Sequence, residues 1–216
     1  MRYADRAAAG RALIAPLARF AGTDAVVLAL PRGGVPVAAE LARALDLPLG
    51  LALVRKVGLP GFAELALAAL AGPEGETLVV NDDIARAAGL TRARIEELAA
   101  PARAELARRR ALWLGTHPLP RLAGRAAILV DDGLATGATM RAAIAWARDA
   151  GASPVVAAIP VGAAPAIAAL EPLADIVICP QMPADFRAVG LHYDDFRQLD
   201  DAEVRAMLDE NAGRTG

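Results

Sequence analysis

The sequence predicts an α/β fold, a mainly parallel sheet with helices on both faces. Three observations lead there. Short apolar runs alternate along the chain with segments of helical periodicity. The runs are apolar throughout rather than at every second residue, as expected of strands buried on both sides. The residues best suited to chemistry follow directly after such runs, at the carboxyl ends of strands, where open α/β sheets bind their ligands.

In chain order, residues 5–20 read as an amphipathic helix, kinked or ended early by Pro16. Ala25 to Leu30 is an apolar strand closed by Pro31-Arg32-Gly33-Gly34, and Val35 to Leu45 is the helix after it. Leu47 to Val54 is a second strand ending in Arg55-Lys56, and Gly58 to Gly61 is expected to be a mobile loop. Glu64 to Leu70 suits strand or helix equally, and Gly72-Pro73 ends it. Thr77 to Val80 is a short strand. Thr91 to Trp113 is the clearest helix, with Ile95, Leu98, Ala102 and Leu106 along one face. A Pro-rich link, His117 to Pro120, precedes a strand at 126–130 and a helix at 139–150. A strand at 154–159, a short helix near 164–170 and a strand at 175–179 complete the core. The expected organisation is one domain over residues 1–216, with a helical insertion at about 82–120 and a small C-terminal hood at about 180–216.

Composition narrows the function class. With 216 residues, 56% hydrophobic and 22% charged, the chain is globular and can bury a substantial core. A net charge of −2 gives no global field for nucleic acid, so none is expected as a partner. The single cysteine, Cys179, rules out an intramolecular disulfide and a Cys-based zinc site, and it reads as a packed thiol. The first residues carry an acid early and lack a signal-peptide core, so a cytoplasmic location is expected. Ala150 to Leu170 is uncharged, but Pro154, Pro160, Gly162 and Pro165 divide it. It reads as a buried strand, a turn and a short helix, not as a membrane span. Of 23 basic residues 22 are arginine, which makes the sole lysine, Lys56, a position that calls for a compact ammonium.

The stretch from Ala126 to Met140 is the most informative. An apolar run ends in two carboxylates, Asp131 and Asp132; a loop with two glycines and two threonines follows, and then a helix begins. Exposed N–H groups and the positive end of a helix dipole make an anion site there. A protein that bound phosphate alone would not set two negative charges at its mouth. The pair implies a ligand with phosphate at one end and hydroxyls or a divalent cation at the other. No Walker A ending, no Gly-x-Gly-x-x-Gly after the first strand and no Gly-x-Ser-x-Gly elbow is present.

Val130-Asp131-Asp132-Gly133-Leu134-Ala135-Thr136-Gly137-Ala138-Thr139 resembles the phosphoribosyl-pyrophosphate (PRPP) motif of type I phosphoribosyltransferases. Leu30-Pro31-Arg32-Gly33-Gly34 is similar to that family's pyrophosphate loop, and Arg55-Lys56 to its basic pair. Pro-Arg-Gly-Gly alone would be an ordinary turn; beside the acidic motif it reads as functional. The whole chain resembles a stand-alone bacterial branch, with Arg-Lys-x-Gly-x-Pro-Gly at 55–61 and Tyr-x-Asp-Phe at Tyr193 to Phe196.

The resemblance implies a type I phosphoribosyltransferase-like fold and Mg²⁺-dependent transfer of 5-phosphoribose from PRPP to a nucleobase-like acceptor. By position, Asp131 and Asp132 would hold the ribose hydroxyls and, through water and PRPP, the Mg²⁺. The backbone from Gly133 through Leu134, Ala135, Thr136, Gly137 and Ala138 to Thr139 would cradle the 5-phosphate. Arg32, Gly33 and Gly34 would hold pyrophosphate through a strained peptide that glycine permits, with Arg55 beside them. Lys56 would neutralise the leaving group. Phe186, Tyr193 and Phe196 would stack on the acceptor from the hood, or else form the hood's own small core or a subunit contact. The 91–113 helix, with Arg108-Arg109-Arg110, reads as a solvated or oligomer-facing insertion. A homodimer or higher homo-oligomer without membrane association is expected. Two other readings stay open: a non-catalytic PRPP or nucleotide sensor, and a hydrolase or phosphorylase acting on another phosphosugar.

Overall fold

The computed structural model describes residues 2–115 and 120–212. Of the Pro-rich link, His117 lies outside the described residues. The chain opens with α1 (Arg6–Leu17), capped by the Asp5 side chain on the Ala8 N–H; it ends one residue after Pro16, in a single 3₁₀ turn. β1 (Val26–Ala29) and α2 (Gly34–Leu45) follow as expected, and β2 (Leu49–Leu51) comes next.

The next segment departs from expectation. The second apolar run is not one strand. It splits at Ala52-Leu53 into β2 and β3 (Val54–Leu59), which belong to different sheets. Arg55 and Lys56 therefore lie within β3, not beyond a strand end. The expected mobile loop is a hairpin: Leu59 pairs with Phe62 across Pro60-Gly61, and Gly61 takes φ 83°. Proline followed by a left-handed glycine is the chemistry of a tight turn, which periodicity does not reveal. β4 (Phe62–Ala71) resolves the ambiguous segment as strand. Its alanines favour helix, but it pairs on both edges, with β3 and with β5 (Thr77–Val80), and ladder bonds outweigh propensity.

Beyond β5 come α3 (Asp82–Ala87), which was not foreseen, and α4 (Arg92–Leu114), capped by Thr91. Then follow β6 (Ala127–Val130), α5 (Ala138–Asp149), β7 (Val155–Ala158), α6 (Ala164–Ala168), β8 (Ile176–Ile178) and α7 (Asp201–Ala212). The uncharged stretch from 150 to 170 is thus strand, turn and short helix. No helix among the described residues is long and apolar enough to cross a membrane.

Five strands form a parallel sheet in the order β2-β1-β6-β7-β8. Their side chains alternate between two cores. Val27, Ala29, Ile128, Val130, Val156 and Ala158 face the side of α2, whereas Val26, Leu28, Ala127, Leu129, Val155 and Ala157 face that of α5. Both faces are sealed, which accounts for runs without polar alternation. The antiparallel sheet β3-β4-β5 continues this layering, with Val57, Leu67 and Leu70 in the first core and Ala69 and Ala71 in the second. The Thr77 hydroxyl donates to Asp149 (2.9 Å) and the Trp146 indole to Glu76 (2.7 Å), which pins the start of β5 to α5.

The region beyond residue 180 divides in two. Residues 180–200 form a strap, while α7 packs Val204 and Leu208 into the first core. The insertion joins the same core through Ile95, Leu106 and the fully buried Trp113, whose indole donates to Asp201 at the start of α7 (2.9 Å). Trp113→Ala should therefore cost about 3–5 kcal/mol of unfolding free energy in a denaturant titration, as expected for deleting a buried indole.

Candidate active site

The site forms where β1 and β6 lie side by side and end together. Leu30 donates its N–H to Val130 (2.8 Å), so the loop after β1 starts level with the end of β6. That loop, Pro31 to Gly34, folds across the acidic pair. A Cβ on Gly33 would stand 2.0 Å from Asp132 Oδ2, and one on Gly34 would stand 2.5 Å from the Val130 carbonyl. Both glycines are required by close approach. The expected reason, a backbone that only glycine adopts cheaply, does not apply, because Gly33 has φ −60°. The Pro31–Arg32 peptide is cis.

The loop after β6 is held at its flanks and open in the middle. Leu134 is buried, donates to Val161 (3.0 Å) and accepts from Ala163 (2.9 Å). Gly137 takes φ 76° as the N-cap of α5, a conformation that strains any residue with a Cβ. Between these anchors Ala135 and Thr136 are exposed, and Ala138 and Thr139 are half-buried. The Thr136 and Thr139 hydroxyls have no partner among the described residues. Together with the N-terminal amides of α5 they form an open donor set suited to a phosphate.

Asp131 accepts the N–H of Asp132 (2.9 Å). Burial, and then the charge of Asp132, push its carboxyl well above the usual carboxylate range. Burial raises Asp132 as well, and Arg6 opposes that shift. Arg6 is the first residue of α1. Its Nε donates to Asp132 Oδ2 at 2.8 Å, its Nη1 donates to the Arg197 carbonyl (2.9 Å), and its guanidinium lies 4.0 Å over the Phe196 ring. The two charged side chains are 11% and 13% exposed, so this pair is weakly screened and unlike a surface salt bridge. Tyr193 donates its hydroxyl to the Asp132 carbonyl (2.5 Å). The strap is itself tied to the N-terminal segment: Tyr3 donates to His192 and accepts from Asp194, both at 2.9 Å.

The expected site residues fall into two groups. The structure brings Arg32–Gly34 and Asp131–Thr139 together. Arg55 and Lys56 stand on β3, exposed and without an ion pair among the described residues. The Arg32 side chain is engaged elsewhere, through Nε with Asp201 (3.2 Å) and through Nη1 with the Leu199 carbonyl (2.8 Å). For the hood aromatics the second of the two readings holds, a small core of the hood's own. Tyr193 is 1% exposed and packs on Tyr3 and Phe196, so it offers no face to a ligand. Phe186 stacks on His192 (5.3 Å), and Arg6 covers one face of Phe196. These rings form the strap's own small core together with Tyr3, Val161 and Val189. Cys179 is a packed thiol, raised to about 11 by burial.

Sequence reading missed Arg6, which is one of 22 arginines. Its one signal is position. A cation in the first turn opposes the helix dipole and needs a compensating anion, here Asp132. No group of three or more His, Cys, Asp or Glu side chains fit to hold a metal occurs among the described residues. Any divalent ion here must take most of its ligands from substrate and water. That suits Mg²⁺, which is bound through one or two carboxylates plus phosphate oxygens.

A family model described as phosphoribosyl transferase domain matches residues 4–108, which take in the Pro31–Gly34 loop and end before the acidic pair. A Mycobacterium tuberculosis protein provisionally named a phosphoribosyl transferase is 44% identical over 207 residues. These are 96% of this chain and 46% of the relative, so the chain spans about half the length of the curated relatives it matches. The crystal structure of the protein TT1426 from Thermus thermophilus is similar throughout, at 41% identity and a TM-score of 0.85 over 97% of this chain and 99% of that one.

The raised carboxyls make a pH prediction. The folded state binds their protons more tightly than the unfolded chain, so stability falls as pH rises from the ordinary aspartate range through the raised folded value. Asp131→Asn keeps the acceptor for the Asp132 N–H and removes the titration. Unfolding midpoints measured against pH should show this variant more stable than wild type near neutrality, with the difference vanishing below the ordinary aspartate range.

Proposed function

We propose that the chain is a phosphoribosyl transferase with the type I fold, and that it transfers 5-phosphoribose from PRPP to a nucleobase-like acceptor and releases pyrophosphate; the family model over residues 4–108 and the 44% identical relative support this reading. The observation that carries this reading is the contact of Gly33 with Asp132. It sets a glycine loop against two carboxylates, beside an open phosphate-type loop. One ligand with two phosphate ends and a diol between them matches all three.

In this reading the amides from Ala135 to Thr139 and the Thr136 and Thr139 hydroxyls hold the 5-phosphate at the start of α5. Asp131 and Asp132 accept hydrogen bonds from the ribose hydroxyls. The turn at Arg32-Gly33-Gly34 holds pyrophosphate, and Arg55 and Lys56, having no acidic partner among the described residues, are available to it. When bound with the donor, Mg²⁺ would neutralise the phosphate oxygens, held by Asp131 and Asp132 through water. The bond between the anomeric carbon and pyrophosphate breaks as the acceptor's bond forms, leaving positive charge on the sugar and negative charge on the leaving group. Fixed donors at the pyrophosphate end and carboxylates at the ribose end stabilise both. The raised Asp131 fits this assignment, because a buried carboxyl without a full counter-charge gains most from a ligand that brings hydroxyls and a cation.

Calorimetry with Mg²⁺ and PRPP tests the reading. Asp132→Asn and Thr139→Ala should each weaken PRPP binding about 10- to 100-fold, the value of one charge-assisted hydrogen bond. Lys56→Ala should lower pyrophosphate release more than donor affinity. Wild-type protein that fails to bind PRPP at millimolar concentration, or retained affinity in both of the first two variants, would refute it.

A further inference from the structure

A cavity of about 390 Å³ opens between α1, the Pro31–Gly34 loop, α4 and the strap. Asp132 forms its ribose-side wall, Phe196 and Gln198 its strap side, and Arg6, Arg32 and Arg109 supply three guanidinium groups. Arg109 comes from the insertion helix and is 24% exposed.

Each guanidinium is paired with a carboxylate: Arg6 with Asp132, itself in the cavity wall (2.8 Å), Arg32 with Asp201 (3.2 Å) and Arg109 with Glu105 (2.8 Å). Arg109 also lies over the buried Trp113 ring (5.5 Å), and Asp201 is fixed in turn by the Trp113 indole. These contacts use Nε in all three arginines and Nη1 in Arg6 and Arg32. Nη2 of Arg6, Nη2 of Arg32 and both Nη atoms of Arg109 have no partner among the described residues. The arrangement is a set of planar forks, oriented by salt bridges, with donors left over. Because the forks are already ordered, little side-chain entropy remains to be lost when an oxyanion docks.

A neutral aromatic base is poorly served by such walls. Tyr193 is buried, and Arg6 already lies on one face of Phe196. Of the residues given to pyrophosphate in the transferase reading, Arg55 and Lys56 do not line this cavity, whereas Arg32 and Gly33 do, so the cavity borders the pyrophosphate end of the donor. We infer that this cavity is the acceptor subsite and that the acceptor is a ring bearing an acid group, whose oxyanion is received by Arg109 together with the spare donors of Arg6 and Arg32. The inference rests on the transferase reading. It gives the insertion helix a specificity role that its run of arginines does not announce.

Saturation-transfer NMR on the full chain with Mg²⁺ can compare shape-matched rings, nicotinate against nicotinamide and orotate against uracil. Calorimetry of PRPP and of inorganic pyrophosphate runs in parallel on wild type, Arg109→Ala and Arg109→Lys. The acidic member of at least one pair should bind about 10-fold or more tighter than its neutral partner. Arg109→Ala should remove that preference and Arg109→Lys should restore part of it. PRPP and pyrophosphate affinities and the melting temperature should stay near wild type. Equal binding of acid and neutral rings, or no saturable binding of any acid at millimolar concentration, would overturn the inference. A matching loss of pyrophosphate affinity in Arg109→Ala would also overturn it, by assigning the cavity to the donor. If wild type binds no PRPP, the failure belongs to the transferase reading and not to the acid preference.

Discussion

The placement of Asp132 is the constraint on which the rest of the site depends. Its carboxylate lies where a Gly33 side chain would otherwise be, is gripped by Arg6, and its carbonyl accepts the Tyr193 hydroxyl. Three segments far apart in sequence meet at this residue: the loop after β1, the start of α1, and the strap. A carboxylate buried beside another is expensive, and the Arg6 guanidinium is the compensating charge. The pair ties the first turn of α1 to the end of β6, while Leu13 and Leu17 seat the rest of the helix in the first core. It also explains why the strap's aromatic residues pack inward.

A second linkage runs through Asp201, which accepts from the Trp113 indole and pairs with Arg32. It joins the insertion helix, the C-terminal helix and the loop after β1 at one carboxylate. The insertion and the C-terminal region thus act as supports for the loop after β1. A change in α4 or α7 reaches the site through Arg32 without touching any residue of the acidic motif.

The parallel sheet and the two loops at its rim were legible in the sequence, for a physical reason. Strands sealed on both faces must be apolar throughout, and loops that face phosphate need glycine, threonine and a helix start at fixed spacing. The second sheet was less legible. Leu47 to Val54 is equally apolar on either side of the break at Ala52-Leu53, and nothing local tells β2 from β3. β4 is written in helix-forming alanines and becomes a strand through its neighbours. Arg6 and Arg109 were not legible, because in a chain whose cations are nearly all arginine, only tertiary contact distinguishes a buried one. The hood aromatics left two readings open for a related cause. Clustering shows that rings share a neighbourhood, but not whether they face a ligand or each other.

The role of Asp132 rests on its coupling to Arg6, and a double-mutant cycle measures that coupling directly. PRPP affinity with Mg²⁺ is determined for wild type, Arg6→Gln, Asp132→Asn and the double variant. If Arg6 acts by holding Asp132, the double variant binds no more weakly than Asp132→Asn alone, with a coupling energy of about 1–3 kcal/mol. Losses that simply add would contradict it, and would mean that the two side chains serve the ligand independently.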